Sequence, residues 1–299
     1  MAGRPSGFKT AAARAQYCAL YDESIAQSPF PVEESDILTS FGTTHVLTAG
    51  DATMPPLVAL HAMGFGSTMW LPLLPSLTPT HCVRMLDAVG GANKSMATGV
   101  IASAEDVVTW IDVVLDRLAI GHCQVVGASI GAWMAANYAM ARPDRVARLA
   151  LLAPAGMVGA LRTKWLVTMT VKSAIRPTPA KTEWLLDTLV KETTRPRLRA
   201  DPWRPIAQQF VVGMTHIRRN MRELRPGIRC SIDRLAASDI PVLILVPRDE
   251  TGHDGPTMVR RYTQQLPSAR VELVDNANHL IFIDRTDIVC DELRKFLAS

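Results

Sequence analysis

The chain has 299 residues, 48% of them hydrophobic and 20% charged, with a net charge of +4. This is the composition of an ordinary globular protein with a substantial core, and it leaves room for one large domain carrying an insertion. No apolar run approaches a membrane span, the N-terminus lacks the apolar core of a secretory signal, and no nucleic-acid-binding motif is present. The five cysteines (Cys18, Cys82, Cys123, Cys230 and Cys290) are scattered and form no Cys-x-x-Cys pair. They read as reduced thiols of a cytoplasmic protein, with no metal site expected.

In chain order, Thr10 to Gln27 has the mixed polarity of a leader helix, and Ser28-Pro29-Phe30-Pro31 ends it. Ser35 to Thr48 alternates around Gly42 and predicts one or two short strands. Leu57-Val58-Ala59-Leu60 is the uninterrupted apolar run of a strand buried on both faces. A loop opened by His61 follows, then a proline-broken helix, then a strand from Cys82 to Leu86 that ends at Asp87. Ala104 to Leu118 repeats its apolar residues at helical spacing, with Val107, Val108, Ile111, Val114, Leu115 and Leu118 on one face. Gln124-Val125-Val126 is a strand, the next helix runs to about Ala141, and Val146 to Leu152 is another strand.

Past Ala155 the pattern changes. Strands disappear until Val242, and helical stretches are predicted near Leu161 to Ala174, Ala180 to Lys191 and Pro205 to Leu224. The pattern then resumes with a strand at Val242 to Val246, a helix from about Pro256 to Leu266, a strand at Arg270 to Val274 and a helix from Asp287 to Leu297. Strands alternating with helices imply an α/β fold with a mostly parallel sheet covered on both faces. The expected divisions are 1–35, a leader helix and linker; 36–154, the first part of the core; 155–237, an inserted helical cap; and 238–299, the second part of the core. Between Gly156 and Leu235 there are 16 basic and 6 acidic residues, a surplus of +10, while the rest of the chain carries −6. A solvated helical face explains this, and so does attraction for an anionic substrate or an acidic partner.

The chemistry centres on Val125-Val126-Gly127-Ala128-Ser129-Ile130-Gly131-Ala132-Trp133: apolar strand, Gly-x-Ser-x-Gly, apolar helix. A serine in that frame sits on a sharp strand-to-helix turn with its hydroxyl held clear of the sheet. Strand and helix pass close there, so the flanking positions must be small, as Gly127 and Gly131 are. The helix also presents its positive end to a developing anion. A serine hydroxyl needs a base within hydrogen-bond reach, and the base needs an orienting carboxylate. Two more loops beyond strand ends carry those types. Asp249 and Glu250 follow the strand at Val246, and His279 follows the strand at Val274. Either carboxylate could serve, and the order is serine, acid, histidine. Of the other histidines, His45, His81 and His122 lie in or beside strands, His253 is close to the acids, and His216 is in the inserted segment.

The sequence resembles the α/β-hydrolase superfamily over nearly its whole length and, within it, the naproxen-type carboxylesterases of bacilli. The matching stretches are Phe41-Gly42-Thr43-Thr44-His45-Val46, Ser67-Thr68-Met69-Trp70, Asn93-Lys94-Ser95, the Gly127 to Gly131 elbow and the acid-to-histidine segment. The resemblance implies a serine hydrolase of carboxylic esters that works through an acyl-enzyme and without a cofactor. It implies Ser129 as nucleophile, His279 as base and Glu250 as acid, because Glu250 stands 29 positions before His279 as in the family; Asp249 is the alternative. An oxyanion hole would be formed by the backbone N–H groups of Ile130 and, by position, Met63. Asp87 matches a position that supports the neighbouring loop. Two departures are visible: His61-Ala62 replaces the usual His-Gly, and Pro247 stands where a glycine usually ends the strand. The partners this implies are a small ester substrate, with an acidic carrier protein and a second copy of the chain as further candidates. Two other activities keep the same elbow: a thioesterase, lactonase or cyclase acting on a carrier-bound or anionic substrate, and a non-hydrolytic catalyst or binding protein.

Overall fold

The computed structural model describes residues 7–155, 157–159, 162, 177–218 and 232–298. Its strands are β1 (Gly7–Phe8), β2 (Glu33–Thr39), β3 (Gly42–Ala49), β4 (Pro56–Leu60), β5 (Cys82–Leu86), β6 (Met96–Ala97), β7 (Cys123–Ala128), β8 (Val146–Leu152), β9 (Ile217–Arg218), β10 (Val242–Pro247) and β11 (Arg270–Val274). Its α-helices are α1 (Ala11–Ala26), α2 (Leu74–Leu77), α3 (Ala104–Arg117), α4 (Ile130–Ala141), α5 (Pro179–Thr188), α6 (Trp203–His216), α7 (Asp233–Ala236), α8 (Gly255–Gln265), α9 (Ile281–Asp284) and α10 (Thr286–Ala298). Nine strands form one sheet in the order β11-β10-β8-β7-β4-β5-β3-β2, with β6 added to β3. From β5 to β11 the neighbours are parallel; β2, β3 and β6 make the antiparallel edge.

Both faces of the parallel part are buried, and the strands show the two-residue alternation this demands. Leu57 and Ala59 of β4 face one core, and Val58 and Leu60 face the other. In β10, Leu243 and Leu245 join the first core, and Val242, Ile244 and Val246 the second. The first core is closed by α1, α6 and α10, and the second by α3, α4 and α8. Helix α3 starts from a complete capping box, Ser103 and Asp106 each bonding the other's backbone N–H. It buries the expected stripe except Leu118, which is only half-buried, and it adds Trp110, whose indole N–H donates to the Thr44 hydroxyl at 2.7 Å.

Connections leave β4 toward β5 and leave β7 toward β8, in opposite directions across the sheet. The crevice between the ends of β4 and β7 is the switch point at which open parallel sheets bind their ligands. The loop opened by His61 and the residue Ser129 both lie there.

The inserted segment departs from its expected pattern. The stretch from Leu161 to Ala174 lies outside the described residues except for Arg162, as do residues 219–224. The region is not free of strands: β9 pairs antiparallel with β1, Gly7 opposite Arg218 and Phe8 opposite Ile217. Two residues per strand are too few to produce a periodicity. A 3-10 helix at Glu192–Arg199 follows α5.

The N-terminal segment is strapped across α6. The Lys9 N–H donates to the His216 carbonyl, and its ammonium donates to that of Thr215. The fully buried Gln209 of α6 donates to the Leu20 carbonyl (3.1 Å) and the Ser24 hydroxyl (2.7 Å), and accepts from the Thr68 hydroxyl at 2.8 Å. One side chain thus joins α1, α6 and the stretch following the His61 loop. Replacing Gln209 by Leu takes the acceptor from the buried Thr68 hydroxyl and one donor from the Leu20 carbonyl and the Ser24 hydroxyl, which keep their bond to each other. The expected loss is about 1–3 kcal/mol, measured as a fall in the urea midpoint at unchanged m-value.

Candidate active site

Ser129 ends the β7 segment and caps α4 with φ 54° and ψ −114°. A non-glycine residue in that region costs about 1–3 kcal/mol and persists only where its surroundings enforce it. Here its N–H donates to the Leu152 carbonyl of β8 at 2.9 Å, and its carbonyl accepts from Ala132 and Trp133 in the first turn of α4. The flanking glycines are required by contact. A Cβ on Gly127 would lie 2.3 Å from the Gly131 carbonyl oxygen, and one on Gly131 would lie 2.2 Å from that of Leu60.

The serine Oγ lies 2.8 Å from His279 Nε2, and His279 Nδ1 lies 2.9 Å from Glu250 Oε2. The second carboxylate oxygen of Glu250 accepts the Gly252 N–H at 3.0 Å. The structure therefore brings Ser129, His279 and Glu250 into one hydrogen-bonded line. Asp249 is not part of it: its carboxylate is half-exposed and pairs with the Lys191 ammonium at 2.9 Å. Its neighbour Glu250 is 6% exposed. Burial opposes ionisation of Glu250, but the His279 charge and hydrogen bond, the Gly252 N–H and the charge of His253 outweigh it and hold the carboxyl below its ordinary range. Burial likewise opposes the imidazolium of His279, yet the Glu250 charge and hydrogen bond prevail and raise it above 6.5. The two directions agree: each partner favours the charged form of the other.

The loop after β4 lies beside the serine. The Phe65 N–H donates to the Ala62 carbonyl, closing a turn with Met63 and Gly64 at its centre. Gly64 has φ +82°, the conformation a type II turn requires at that position. A Cβ there would also meet the Phe210 ring of α6 at 2.6 Å. Ala62 is not among the described non-glycine residues with positive φ, so its methyl group strains nothing. The Met63 N–H is left outside the turn's own bond, and Ile130 is the first residue of α4, whose opening N–H groups have no partner within the helix.

His61 is buried, and burial holds it below 6.5. Its Nε2 accepts the Ala88 N–H at 2.9 Å, so the ring proton is on Nδ1 and points to the Ala62 carbonyl, also 2.9 Å away. Asp87, fully buried, accepts from the N–H groups of Ser67 (2.6 Å) and Lys94 (2.9 Å), fixing the far end of the same loop. Pro247 is the last residue of β10, and the Arg248 N–H continues the pairing to the Val274 carbonyl. Two other histidines serve elsewhere: His45 bonds Asp36 and Glu34, and His81 bonds Thr80.

Asn278 and Asp284 were not singled out from the sequence, although an amide directly before the histidine was a visible signal. The Asn278 side chain touches both Thr251 and His279. Among the described residues, no cluster of three or more histidine, cysteine or carboxylate side chains could hold a metal ion.

Comparison with known proteins identifies the family. The model of the alpha/beta hydrolase family matches residues 57–292, well over half of the chain. The chain belongs to the alpha/beta hydrolase family. A carboxylesterase of Bacillus subtilis, named nap and described as uncharacterized, is 26% identical over 95% of this chain and 93% of its own. The carboxylesterase YbfK of the same organism is 23% identical over 93% and 92%. In structure, the chain superimposes on the naproxen esterase of Bacillus subtilis with a TM-score of 0.84 at 24% identity, covering 97% of this chain and 99% of the other.

The hydrogen-bonded pair sets an expectation for titration. The His279 ring is protonated below its raised value and neutral above it. Removing the carboxylate charge with Glu250→Gln takes away what raises it, so the ring should titrate at lower pH. NMR of the imidazole signals reads this midpoint, and an unchanged midpoint would contradict the pairing.

Proposed function

We propose that the protein is a serine hydrolase of carboxylic esters, with Ser129 as nucleophile, His279 as base and Glu250 as the orienting acid. The observation that carries this reading is the continuous hydrogen-bonded line from the serine hydroxyl through the imidazole to a buried carboxylate, at the switch point of the sheet. The names of the full-length relatives in Bacillus subtilis point to the same reaction.

In the first half-reaction His279 Nε2 takes the serine proton as Oγ attacks the ester carbonyl. Negative charge builds on the carbonyl oxygen, and the N–H groups of Ile130 and Met63 receive it, assisted by the positive end of α4. The imidazolium, stabilised by Glu250, returns its proton to the departing alkoxide. Water then repeats the cycle on the acyl-enzyme and releases the acid. The chain's own groups are sufficient for these steps, so no cofactor enters.

Residues 155–237 are read as a cap over this site, their helices α5 and α6 lying between β8 and β10 in sequence. The alternative of an anionic or carrier-bound substrate rested on the basic surplus of this segment. Several of those cations are engaged within the fold: Lys191 with Asp249, Arg199 with Asp187, and Arg204 with Glu23 and Asp201. The non-hydrolytic alternative draws on Ala62 and Pro247; Ala62 does not take the left-handed conformation that favours glycine, and the sheet pairing continues past Pro247 through the Arg248 N–H. These observations favour hydrolysis of a small ester over both alternatives.

Ser129→Ala should lower kcat/KM toward short p-nitrophenyl esters by about 10,000-fold or more, and Glu250→Gln by about 100- to 10,000-fold. Asp249→Asn should stay within about twofold of the parent. Intact-mass spectrometry after fluorophosphonate treatment should show one adduct on the native chain and none on Ser129→Ala. Retained hydrolysis by the alanine variant would overturn the reading. For the parent enzyme, kcat/KM should fall as pH drops through a value above 6.5, the raised value of His279, because only the neutral ring accepts the serine proton.

A further inference from the structure

Behind the histidine lies a polar bracket that the proposed cycle does not use. The Asn278 amide oxygen faces two backbone N–H groups, that of His279 itself at 2.8 Å and that of Thr251, the residue after Glu250, at 2.9 Å, and the Thr251 hydroxyl at 2.7 Å. Its amide nitrogen donates to the Thr188 carbonyl at the end of α5, 3.0 Å away. The orientation of the amide follows from this network, since a reversed group would set its NH2 against two N–H donors. The Asn278 backbone N–H donates to one oxygen of Asp284 at 2.7 Å, and the other oxygen accepts the Lys191 N–H at 2.9 Å. The Leu280 N–H donates to the Leu189 carbonyl at 3.0 Å. Asn278 and Asp284 are both buried, at 8% and 4% exposure.

The bracket has a definite mechanical content. The Glu250–His279 hydrogen bond joins side chains from two loops that leave different strands. Its length depends on how those loops are held relative to each other: the Asp249 N–H donates to the Ala277 carbonyl near the strand ends, and closer to the two side chains the Asn278 amide oxygen holds the backbone of both. The same amide and Asp284 fasten these loops to residues 188–191 of the inserted segment. Seating of α5 and the aim of the imidazole are thereby made parts of one hydrogen-bonded unit.

We propose that Asn278 is a positioning residue that sets the separation of Glu250 and His279 and ties it to the seating of α5. The proposal rests on the serine-hydrolase reading for its effect on rate, and on geometry alone for its effect on the imidazole. The charged groups about the ring are Glu250, bonded to it, and His253 next to Glu250. Asp284 stands behind Asn278, and Asp249 faces Lys191.

The test compares Asn278→Ala and Asn278→Asp with the parent. Steady-state kinetics on a short p-nitrophenyl ester, the pH profile of kcat/KM and the NMR titration of His279 are measured for each. Asn278→Ala removes the acceptor shared by the Thr251 and His279 N–H groups and leaves the loops joined by the Asp249 N–H to Ala277 carbonyl bond (3.0 Å). It should lower kcat by about 10- to 100-fold with KM nearly unchanged, and move the His279 titration down toward that of an ordinary imidazole as the Glu250 bond slackens. Asn278→Asp keeps an acceptor for both N–H groups, loses the donor to the Thr188 carbonyl at the end of α5, and adds a negative charge near the ring. It should recover part of kcat and move the titration above that of the parent. A parent-like kcat and titration in Asn278→Ala would overturn the proposal. Equal losses in both variants with the titration unmoved would also overturn it, since that is the behaviour of a residue that merely packs. If the alanine variant does not fold, the isosteric Asn278→Asp decides alone, an unmoved titration overturning the proposal. Failure of the hydrolase reading is separable: hydrolysis retained by Ser129→Ala would remove the kinetic arm and leave the titration to decide.

Discussion

Where β4, β7 and α4 meet there is no room for a β-carbon. The Gly131 Cα approaches the Leu60 carbonyl so closely that any side chain would overlap it, and Gly127 is pressed in the same way against Gly131. This contact turns the chain through the strained conformation of Ser129 and brings the serine beside the loop that β4 delivers. The strain is held by large cores on both sides of the sheet, whose burial far exceeds the cost of one unfavourable residue. The hydroxyl is thus aimed by the backbone before any polar partner acts on it. The polar partners follow from the same sheet: β10 and β11 are parallel neighbours, so their end loops emerge side by side and Glu250 can reach His279.

The parts of this architecture that were legible in the sequence are those where one physical demand dominates. The strands of the parallel sheet are buried on both faces, and Leu57 to Leu60, Val125 to Val126 and Val242 to Val246 read as apolar runs for that reason. The elbow was visible because tight packing admits only glycine at two fixed spacings. The choice between Asp249 and Glu250 could not be read from residue type, since adjacent carboxylates offer the same chemistry. In the fold, Lys191, far away in sequence, engages one of them and leaves the other buried against the imidazole. Asn278 stayed hidden for a related reason. An asparagine in a loop ordinarily bonds its own turn, and only tertiary structure shows this one spanning two loops and a helix.

The inserted segment marks the limit of pattern reading. Helix α5 falls within a few residues of its expected bounds at each end, whereas α6 starts near its expected position but ends at His216, where β9 takes over, instead of running on to Leu224. The pairing of β9 with β1 was not anticipated, because Ile217–Arg218 and Gly7–Phe8 carry no alternation that two residues could express. The basic surplus was readable as a number but not as a property of a surface. In the fold, Arg204 reaches back to Glu23 of α1 and Arg199 turns onto Asp187 of α5, so part of that charge is spent internally.

The strap of the N-terminal segment across α6 bears on the order in which the chain can assemble. Tyr17 and Tyr21 of α1 are fully buried in the finished protein, and Gln209 and Lys9 fix α1 and the segment before it to residues about two hundred positions downstream. During synthesis the first helix therefore leaves the ribosome long before α6 exists. Tyr21 packs against His45 and Lys94, which are made early, but Tyr17 also lies against Gly213 of α6 and lacks that part of its cover until α6 has been added. Closing a loop of that length carries an entropic cost that grows only slowly with length, so the delay is set by translation more than by diffusion. The bonds that Gln209 and residues 215–216 make to the N-terminal segment can form only after some two hundred further residues have been made, so the fastening of α1 to α6 comes late in the order of assembly.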